Sequence, residues 1–470
     1  MTECAQSSFD FEAHFSRQVT ARFDGGQITT DAGALLLRKT EQRTGILRQF
    51  AACFTDHRRA DRLEHSVAEL VRQRVYALAL GYEDLNDHDE LRADPLLALL
   101  AGKADLQGSR RRKARDRGKP GAGKSTLNRL ELTPQEASPK ARYKKIVMRE
   151  SAIDELLTQL YIQAQAQPPE QIVLDLDATD DPLHGQQEGR FFHGYYGHYC
   201  YLPLYIFAGQ HLLCARLRSS NIDASAGAQE EVERIVKGLR RRWPEARIIL
   251  RADSGFCREP LMKWCEENQV DYVFGLARNA RLERIVGGEL QQVRQEYART
   301  AQPARIFKEF VYRTHKSWSR GRRVVAKAEH LAKGANPRFV VTSLPAEWME
   351  GRALYEQFYC ARGDMENRIK EQQLALFADR TSTALLRSNQ LRLYFSSVAY
   401  CLLEALRRLG LAGTEMARAQ CQTIRGKLLK IGAQVRVTVR KVWVSMASGC
   451  PYAGLFGQVW ANLEGAAPPG

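Results

Sequence analysis

Residues 171–179, QIVLDLDAT, decide the fold class, because they have the pattern of a strand that ends in acidic residues. One face of the stretch carries Ile172, Leu174 and Leu176, and the other carries Val173, Asp175 and Asp177. Alternation with a period of two is typical of a β-strand with two different faces. The stretch therefore predicts a sheet strand that has Asp177 close to its carboxyl end.

The stretches that follow it continue a pattern of strands joined by helices. In chain order they are strands CYLPLYIFAG (200–209) and HLLCARLR (211–218), a helix at 228–242, strand RIILRAD (247–253), a helix from about Glu259, and strand DYVFGLAR (271–278). The first two of these strands are close enough in sequence to form an antiparallel meander. Strands joined by helical crossovers indicate an α/β core, whose first part we expect in residues 166–280.

The rest of the chain divides into further regions by pattern. Apolar residues recur at helical spacing after Ser66, a residue type suited to a helix N-cap. Short β-rich pieces later interrupt the core before helical patterning resumes, and the last region has the pattern of a helix, one strand and a short helix. The predicted regions are a mainly helical part at 1–165, a β-rich insertion at 281–346, the second part of the core at 347–410 and a C-terminal region at 411–470.

The chain is strongly basic. It has 70 Lys and Arg residues against 54 Asp and Glu residues, a net charge of +16. Such an excess favours a polyanionic partner, either a nucleic acid or an anionic membrane surface. No apolar run approaches the ~18 residues of a membrane span, and the N-terminus has no secretory pattern. The cysteines form no CxxC pair, which argues against structural zinc and predicts a reducing compartment such as the cytoplasm.

Residues 118–125, GKPGAGKS, match the pattern of a phosphate-binding P-loop. That loop needs a buried strand before it and a helix after it, so that backbone amides point at the phosphates. The preceding residues 110–117, RRRKARDR, cannot form a buried strand. We therefore expect a flexible basic loop at 108–124 that contacts DNA phosphates, and no ATP site. Its candidate DNA-binding residues are Arg110, Arg111, Arg112 and Lys113.

Two aspartates stand at predicted strand ends. Asp177 lies near the end of the first strand, and Asp253 ends RIILRAD before a turn towards a helix. Ligand sites of open α/β sheets gather at the carboxyl ends of the strands, so both carboxylates can converge on one metal ion. The alternative is that either aspartate only caps the turn that follows it.

A third carboxylate, Glu366, lies in YCARGDMENRIKEQQ (359–373). On a helix it shares one face with an aromatic ring, two cations and an amide, which are Tyr359, Arg362, Lys370 and Gln373. Such a stripe is poor core material. It indicates either a functional face or a solvated, salt-bridged face, and the spacing alone favours neither.

The most distinctive stretches of the chain are FDGGQITTDAGALLLRK, RQRVYALALGYEDLNDHDELRADP, KSTLNRLE, VLDLDATDDPLHG, RADSGFCRE and YCARGDMENRIKEQQLALFADRTS. Together they resemble the bacterial insertion-sequence transposases of the DDE class, specifically insertion-sequence group 1380. The resemblance implies an RNase H-like catalytic core with a β-rich insertion, preceded by a mainly helical DNA-binding region. It also explains the P-loop match, because KSTLNRLE belongs to a family segment that is unrelated to nucleotide binding.

The resemblance implies which carboxylates are catalytic. The two aspartates of the family correspond to Asp177, in its D-x-T setting, and to Asp253. Asp175, on the same strand face, is a weaker contender for the first position. The catalytic glutamate corresponds to Glu366. These three carboxylates would hold two Mg²⁺ ions, for which Mn²⁺ can substitute, since hard cations prefer oxygen ligands.

DNA-contacting residues are implied as well, by the related Y-(2)-R-(3)-E-(6)-K signature of the group 4 transposases. It gives Tyr359 and Arg362, but its last position is Gln373 here instead of Lys. Lys370, one helical turn after the glutamate, could supply that cation instead. Relatives can also carry a Trp in the insertion that stacks on a flipped base. Trp318, which has basic neighbours, is the candidate, although a Trp in a β-rich region more often belongs to the core.

The implied activity is cut-and-paste DNA transposition, in which the protein binds the terminal inverted repeats of its element, cleaves the strands and joins them to target DNA. Pairing two DNA ends would require at least a dimer in the active complex, in the bacterial cytoplasm. Two alternatives stay open. One is an RNase H-like, structure-specific nuclease with the same metal site and no joining activity, and the other is a domesticated DNA-binding protein without catalysis.

Overall fold

A computed structural model describes residues 8–465. Its α-helices are α1 Leu35–Thr44, α2 Ile46–Ala51, α3 Val67–Ala79, α4 His88–Leu91, α5 Pro95–Ala101, α6 Lys124–Glu131, α7 Glu150–Ala164, α8 Ala228–Arg242, α9 Glu259–Glu267, α10 Ala280–Ile285, α11 Gly287–Thr300, α12 Gly351–Ala353, α13 Gly363–Lys370, α14 Leu386–Leu409, α15 Cys421–Ile424 and α16 Ala453–Gly465. Within this range, we find no helix with the length and apolar character that a membrane span requires.

The strands are β1 Ser8–His14, β2 Arg17–Arg22, β3 Ile28–Thr29, β4 Phe54–Asp56, β5 Ile146–Met148, β6 Gln171–Ala178, β7 Asp181–Pro182, β8 Phe191–His193, β9 His198–Tyr201, β10 Leu204–Ala208, β11 His211–Arg216, β12 Arg247–Ala252, β13 Asp271–Leu276, β14 Ala304–Tyr312, β15 Arg322–Leu331, β16 Gly334–Ala335, β17 Arg338–Thr342, β18 Ala433–Val437 and β19 Val442–Met446. The chain forms two compact units. The first contains residues 8–149, 375–377 and 398–465, and the second contains 150–374 and 378–397.

Helices α1–α6 and short antiparallel sheets build the first unit. Helix α3 begins as the sequence predicts, since the Ser66 hydroxyl accepts from the Glu69 amide and the Glu69 carboxylate accepts from the Ser66 amide. The C-terminal stretch belongs to this unit, which the predicted boundaries did not anticipate. The single strand predicted at 434–446 is a hairpin, β18–β19, with its turn closed between Thr438 and Lys441.

A mixed sheet forms the core of the second unit. Its strand order is β11-β10-β6-β12-β13-β17-β15-β14, and β16 pairs with β15. Strand β6 runs parallel to β12, and β12 runs parallel to β13, while the other pairs are antiparallel. The predicted α/β character is therefore confirmed, and the strands predicted at 171–179 and 271–278 are present.

Helices cover both faces of this sheet. On one face, Ile172, Leu174 and Leu176 join a core cluster with residues of α8 and α9. On the other face, Ile249 of β12 packs with Leu354 of the helix that carries the predicted glutamate. The two faces of QIVLDLDAT thus meet different helical layers, as its alternation predicts.

The structure differs from the predicted β-rich insertion at 281–346. Residues up to Thr300 form helices α10 and α11, and strands β14, β15 and β17 extend the main sheet beyond β13. Strand β17 joins the sheet because it pairs with β13, with Val273 opposite Thr342. The segment therefore continues the core sheet and does not build a separate β domain.

Candidate active site

Two of the three predicted carboxylates lie side by side at the carboxyl ends of neighbouring parallel strands. Strands β6 and β12 pair in register, with Asp175 opposite Arg251 and Leu176 opposite Ala252. The next residue on each strand is Asp177 or Asp253, so the backbone hydrogen bonds of the sheet bring both to the same edge. The sequence predicted this arrangement, because parallel strands align their carboxyl ends.

Asp253 also caps the turn that follows it. Its Oδ1 atom accepts from the Gly255 amide at 2.9 Å, before the short 3-10 helix Ser254–Phe256. Asp253 therefore does cap its turn, but the contact does not decide whether capping is its only role. It leaves the second carboxylate oxygen without a role in the turn, so capping and ligand binding are compatible.

Glu366 comes from the helical segment 351–375, which packs on the other face of the sheet. Segments 354–359 and 371–375 of this helix are π-helical, and α13 lies between them. Arg362 connects its carboxylate to the strand edge, because one guanidinium nitrogen lies 3.0 Å from Glu366 Oε1 and another lies 3.7 Å from Asp177 Oδ1. The helix face therefore carries the salt bridge between Arg362 and Glu366, and Arg362 also contacts Asp177 at the end of a strand.

Electrostatics set Asp177 apart from an ordinary surface carboxylate. Its pKa is raised to about 7, mainly by burial and also by the charges of Asp253 and Glu366, although the charge of Arg362 lowers it. A carboxyl whose ionised form is disfavoured by burial and by other carboxylates is a recurring feature of functional sites. Asp177 therefore interacts electrostatically with both of the other predicted carboxylates.

Asp175, the weaker contender for the first catalytic position, already has a partner. Arg251 donates to both of its carboxylate oxygens, at 2.8 Å for the second contact, and also to the Phe358 carbonyl of the π-helical segment. Both side chains are buried, at 4% and 8% exposure. This ion pair connects the helix of Glu366 to strands β6 and β12. Its only signal in the sequence is an arginine inside a strand.

A glycine makes room for the tyrosine of the signature. A Cβ atom at Gly275, in β13, would lie 2.6 Å from the Tyr359 hydroxyl and 2.9 Å from the Ser254 amide. The absence of a side chain therefore allows the tyrosine hydroxyl to lie beside the turn that Asp253 caps. Gly275 was not among the predicted site residues, since a glycine inside a strand marks a close approach only once its neighbours are known.

The donor chemistry of the cluster fits a hard divalent cation, because all three groups are carboxylates and they repel one another. Across residues 8–465, however, no group of three or more His, Cys, Asp or Glu side chains is arranged closely enough to hold a metal ion. Arg362 lies between Asp177 and Glu366 and supplies the positive charge that joins them. The three side chains therefore suit a divalent cation by their ligand type and charge, but their arrangement in the structure is not that of a closed metal site.

The remaining predicted contact residues have different positions. Lys370 is exposed at the end of α13, and the Gln373 amide donates to the Asp180 carbonyl at 3.1 Å. Trp318 is 5% exposed and belongs to the core, where its ring meets Tyr312 edge-on at 5.7 Å. Arg322, 5.3 Å from the Trp318 ring, pairs with acidic side chains of α9. The core alternative is therefore correct for Trp318, whose ring offers no open face to a base.

In the first unit, the predicted basic loop lines an open cleft of about 850 Å³. Arg111, Arg112 and Lys113 reach this cleft, and Arg110 is exposed outside its lining. Other segments add basic residues that were not predicted, among them Arg58, Arg59, Arg62, Arg92 and Arg129. The cluster HRRADR at 57–62 was an available signal. The cleft has the charge and openness that suit a phosphate backbone.

Contacts around the cleft show its positive potential. Burial and the charges of Lys103, Arg111 and Arg58 lower the pKa of His65 to about 3, so this imidazole is neutral at neutral pH. Arg111 pairs with Glu64 at 3.3 Å, which fixes part of the loop. The loop is thus attached to the unit by ion pairs, while Lys113 remains exposed.

The segment that matches the P-loop pattern lacks the structural features of a P-loop. Residues 108–123 contain turns and a short 3-10 helix, with no strand among them. The amides of Ala122 and Lys124 donate to the side chains of Gln73 and Asp89, at 2.8 and 3.3 Å. Amides that are bonded to protein groups cannot cradle a phosphate, which a P-loop requires.

Comparison with known protein families adds one finding. A sequence model of the family described as "Transposase DDE domain group 1" matches residues 11–468. A search among curated proteins gave no match.

Proposed function

Because the chain belongs to the transposase DDE domain group 1 family, we propose that it mobilises an insertion sequence of group 1380 by cut-and-paste transposition. In this proposal it binds the terminal inverted repeats of the element, cleaves the DNA strands and joins them to target DNA. The family is one of metal-dependent transposases, so the catalysis proposed is phosphodiester cleavage followed by strand transfer. At least two copies would pair the two ends, in the bacterial cytoplasm.

The sheet topology supports an RNase H-like core. Strands β6, β10 and β11 form an antiparallel meander. After helical connections, β12 pairs in parallel with β6, and β13 pairs in parallel with β12. Because β6 and β12 are neighbours in the sheet, Asp177 and Asp253 lie at adjacent strand ends. We therefore assign the catalytic core to this five-strand part of the sheet and treat β14, β15 and β17 as its extension.

We assign metal binding to Asp177, Asp253 and Glu366. Divalent ions bound there would stabilise the attacking and leaving oxygens of an in-line displacement at phosphorus. The protein groups around them have separate roles. Arg362 holds Glu366 towards Asp177. Its guanidinium group is proposed to contact a DNA phosphate once metal ions occupy the two carboxylates. Tyr359 and Lys370 are proposed to contact DNA, and no side chain needs to become covalently linked to it.

The basic cleft of the first unit is proposed to bind the DNA backbone. Its surplus of cations suits sequence-independent attraction to phosphates, which is strongly salt-dependent. Base-specific recognition of the inverted repeats would need further contacts, because phosphate contacts carry no sequence information.

The observation that carries the proposal is that Arg362 contacts Glu366 at 3.0 Å and Asp177 at 3.7 Å, while the pairing of β6 with β12 places Asp177 and Asp253 at adjacent strand ends. The test is Glu366→Gln, which keeps the side-chain size and removes the charge. We expect cleavage of element ends and joining of precut ends to fall by at least about 100-fold together, with near-normal DNA binding, because one site serves both steps. The matched control is Glu267→Gln, at an exposed glutamate of α9 that pairs with Lys263 at 3.7 Å.

Two outcomes separate the alternatives. Cleavage by the wild-type protein without any joining of a precut end would favour the nuclease, and DNA binding without either activity would favour the domesticated binding protein. If the Glu366→Gln protein cleaves DNA at the wild-type rate, the assignment of Glu366 as a metal-binding catalytic residue is refuted.

A further inference from the structure

A small hairpin that follows the first catalytic strand exposes an unusual number of aromatic rings. Strands β8 and β9 pair with Phe192 opposite Tyr199, and the turn between them contains GYYG. We call residues 190–201 the aromatic hairpin. Tyr195 is 86% exposed and Phe192 is 57% exposed, and Phe191 and Tyr199 are also more than two-fifths exposed. Folded chains usually bury such rings, so this concentration marks an interaction surface.

The charges of the hairpin indicate what class of molecule it binds. Residues 189–201 contain no Asp or Glu, while Arg190 and two histidines are present. The Arg190 guanidinium lies 3.7 Å from the centre of the Tyr199 ring, which places a cation directly on an aromatic face. A surface that combines stacking rings with positive charge fits single-stranded nucleic acid, where bases stack and phosphates pair with cations. A purely apolar partner would leave the positive charges of this surface unpaired.

The hairpin is anchored next to the carboxylate cluster. Strand β7, which starts at Asp181 just after β6 ends, pairs with β9. The His198 ring nitrogen lies 2.8 Å from the carboxylate of Asp180, three residues after Asp177. Tyr196 is close enough to Asp177 and Asp180 that, besides burial, their charges raise the pKa of its phenol to about 12. DNA held at the carboxylates would therefore pass beside these rings.

We propose that the aromatic hairpin stacks an unpaired nucleobase of the DNA strand that lies at the catalytic carboxylates, with Tyr195 and Phe192 as the main stacking residues. The inference rests on the proposed function, since it is that function which brings DNA to the site. The occupant is an unpaired base because paired bases hide their faces in the duplex, and only a base out of the stack can lie against a ring. Trp318 cannot take this role, because its ring is buried.

The test measures base stacking apart from catalysis. The full-length Glu366→Gln protein is mixed with DNA that carries 2-aminopurine, either in an unpaired 3′ overhang or in a fully paired duplex, and the fluorescence and the dissociation constant are recorded. The Tyr195→Ala, Phe192→Ala double variant is compared with Tyr195→Trp, which retains a ring. The control is Phe15→Ala, at a residue of the first unit that is 90% exposed.

We expect the parent protein to quench the unpaired 2-aminopurine and the double variant to lose both the quenching and at least about tenfold in affinity for the overhang. Affinity for the paired duplex should change little, and Tyr195→Trp should keep the signal. Equal losses on both DNAs, or no loss on either, would overturn the proposal. A change in oligomeric state by light scattering in the double variant would also overturn it, by identifying the hairpin as a protein interface.

Failure of the proposed function gives a different result. If the wild-type protein neither cleaves nor joins element ends while the overhang signal is present and depends on Tyr195, the hairpin binds bases in a protein that is not an active transposase. If cleavage and joining are normal and the signal is absent, only the hairpin proposal fails.

Discussion

Neutralising Asp177 should make the metal-free protein more stable while abolishing its activity. Burial and the neighbouring carboxylates raise the pKa of Asp177 from its usual 3.8 to about 7. The folded state then binds a proton more tightly than the unfolded state does. Ionisation of this carboxyl therefore costs stability, and the cost is absent below about pH 4, grows through the interval up to about pH 7 and stays constant above it.

The size of the effect follows from that pKa. Each tenfold change in proton affinity corresponds to about 1.4 kcal/mol, so the rise from 3.8 to about 7 costs at most about 4 kcal/mol. The attraction of Arg362 is already part of this balance, since it lowers the same pKa. We expect Asp177→Asn to increase the free energy of unfolding by about 2–4 kcal/mol at pH 8, and by much less at pH 4.

The assay is urea unfolding in EDTA at pH 4, 6 and 8, followed by circular dichroism. Glu231→Gln is the matched control of opposite sign. Glu231 is partly buried, but Arg216 and Arg234, each 2.9 Å away, overcome the effect of burial and hold the pKa of Glu231 below its usual value. Its neutralisation should therefore reduce stability at pH 8, and the loss should shrink as the pH falls below the usual pKa of a glutamate.

Added Mg²⁺ provides a second comparison, because a cation at the cluster would offset the repulsion that the variant removes. The wild-type protein should gain more stability from Mg²⁺ than Asp177→Asn does. The reasoning is refuted if Asp177→Asn is no more stable than the wild type at pH 8 in EDTA, or if the difference between them is the same at pH 4 and pH 8.

Three further perturbations test the rest of the site and the cleft. Gly275→Ala would place a methyl group 2.6 Å from the tyrosine hydroxyl beside the Asp253 turn, so we expect a loss of about 1–3 kcal/mol in unfolding free energy and a larger relative loss of cleavage, measured on the folded protein. Replacing Arg112, Lys113 and Arg115 with Ala should weaken DNA binding for all sequences. The slope of the logarithm of the binding constant against the logarithm of the salt concentration should become shallower by about 0.9 per lost phosphate contact, and an unchanged slope would exclude the cleft as a DNA-binding site. We expect calorimetry to detect only background nucleotide binding, both by the wild-type protein and by Lys124→Ala. Saturable ATP binding by the wild type that Lys124→Ala abolishes would restore the P-loop interpretation.

Local patterns were sufficient for much of the second unit. The alternation of QIVLDLDAT fixed both the strand and its two faces, and helix α8 has the bounds predicted at 228–242. The convergence of Asp177 and Asp253 could be predicted because parallel pairing aligns strand ends by rule. Glu366 needed the family resemblance, since helical spacing is equally compatible with a solvated face.

Long-range partners could not be predicted in this way. Arg251 has the pattern of an ordinary strand residue, and only the fold reveals that it bridges Asp175 and the Phe358 carbonyl. Trp318 has the basic neighbours of a DNA-stacking residue, but one of them, Arg322, is committed to acidic groups of α9. Sequence neighbours show charge, whereas three-dimensional partners decide whether that charge is available to a ligand.

The continuation of the sheet beyond β13 has a consequence for attempts to reduce the protein to a minimal catalytic fragment. Strand β13 is an interior strand because β17 covers its outer edge, and the far edge of the sheet is β14, which carries charged side chains such as Arg305, Lys308 and Glu309. Deleting residues 281–346 would expose the unpaired backbone of β13, a strand with buried apolar residues on both faces. An exposed edge of this kind can pair with the same edge of another molecule, so we expect the shortened fragment to aggregate. Strands β14, β15 and β17 prevent this pairing in the full-length protein.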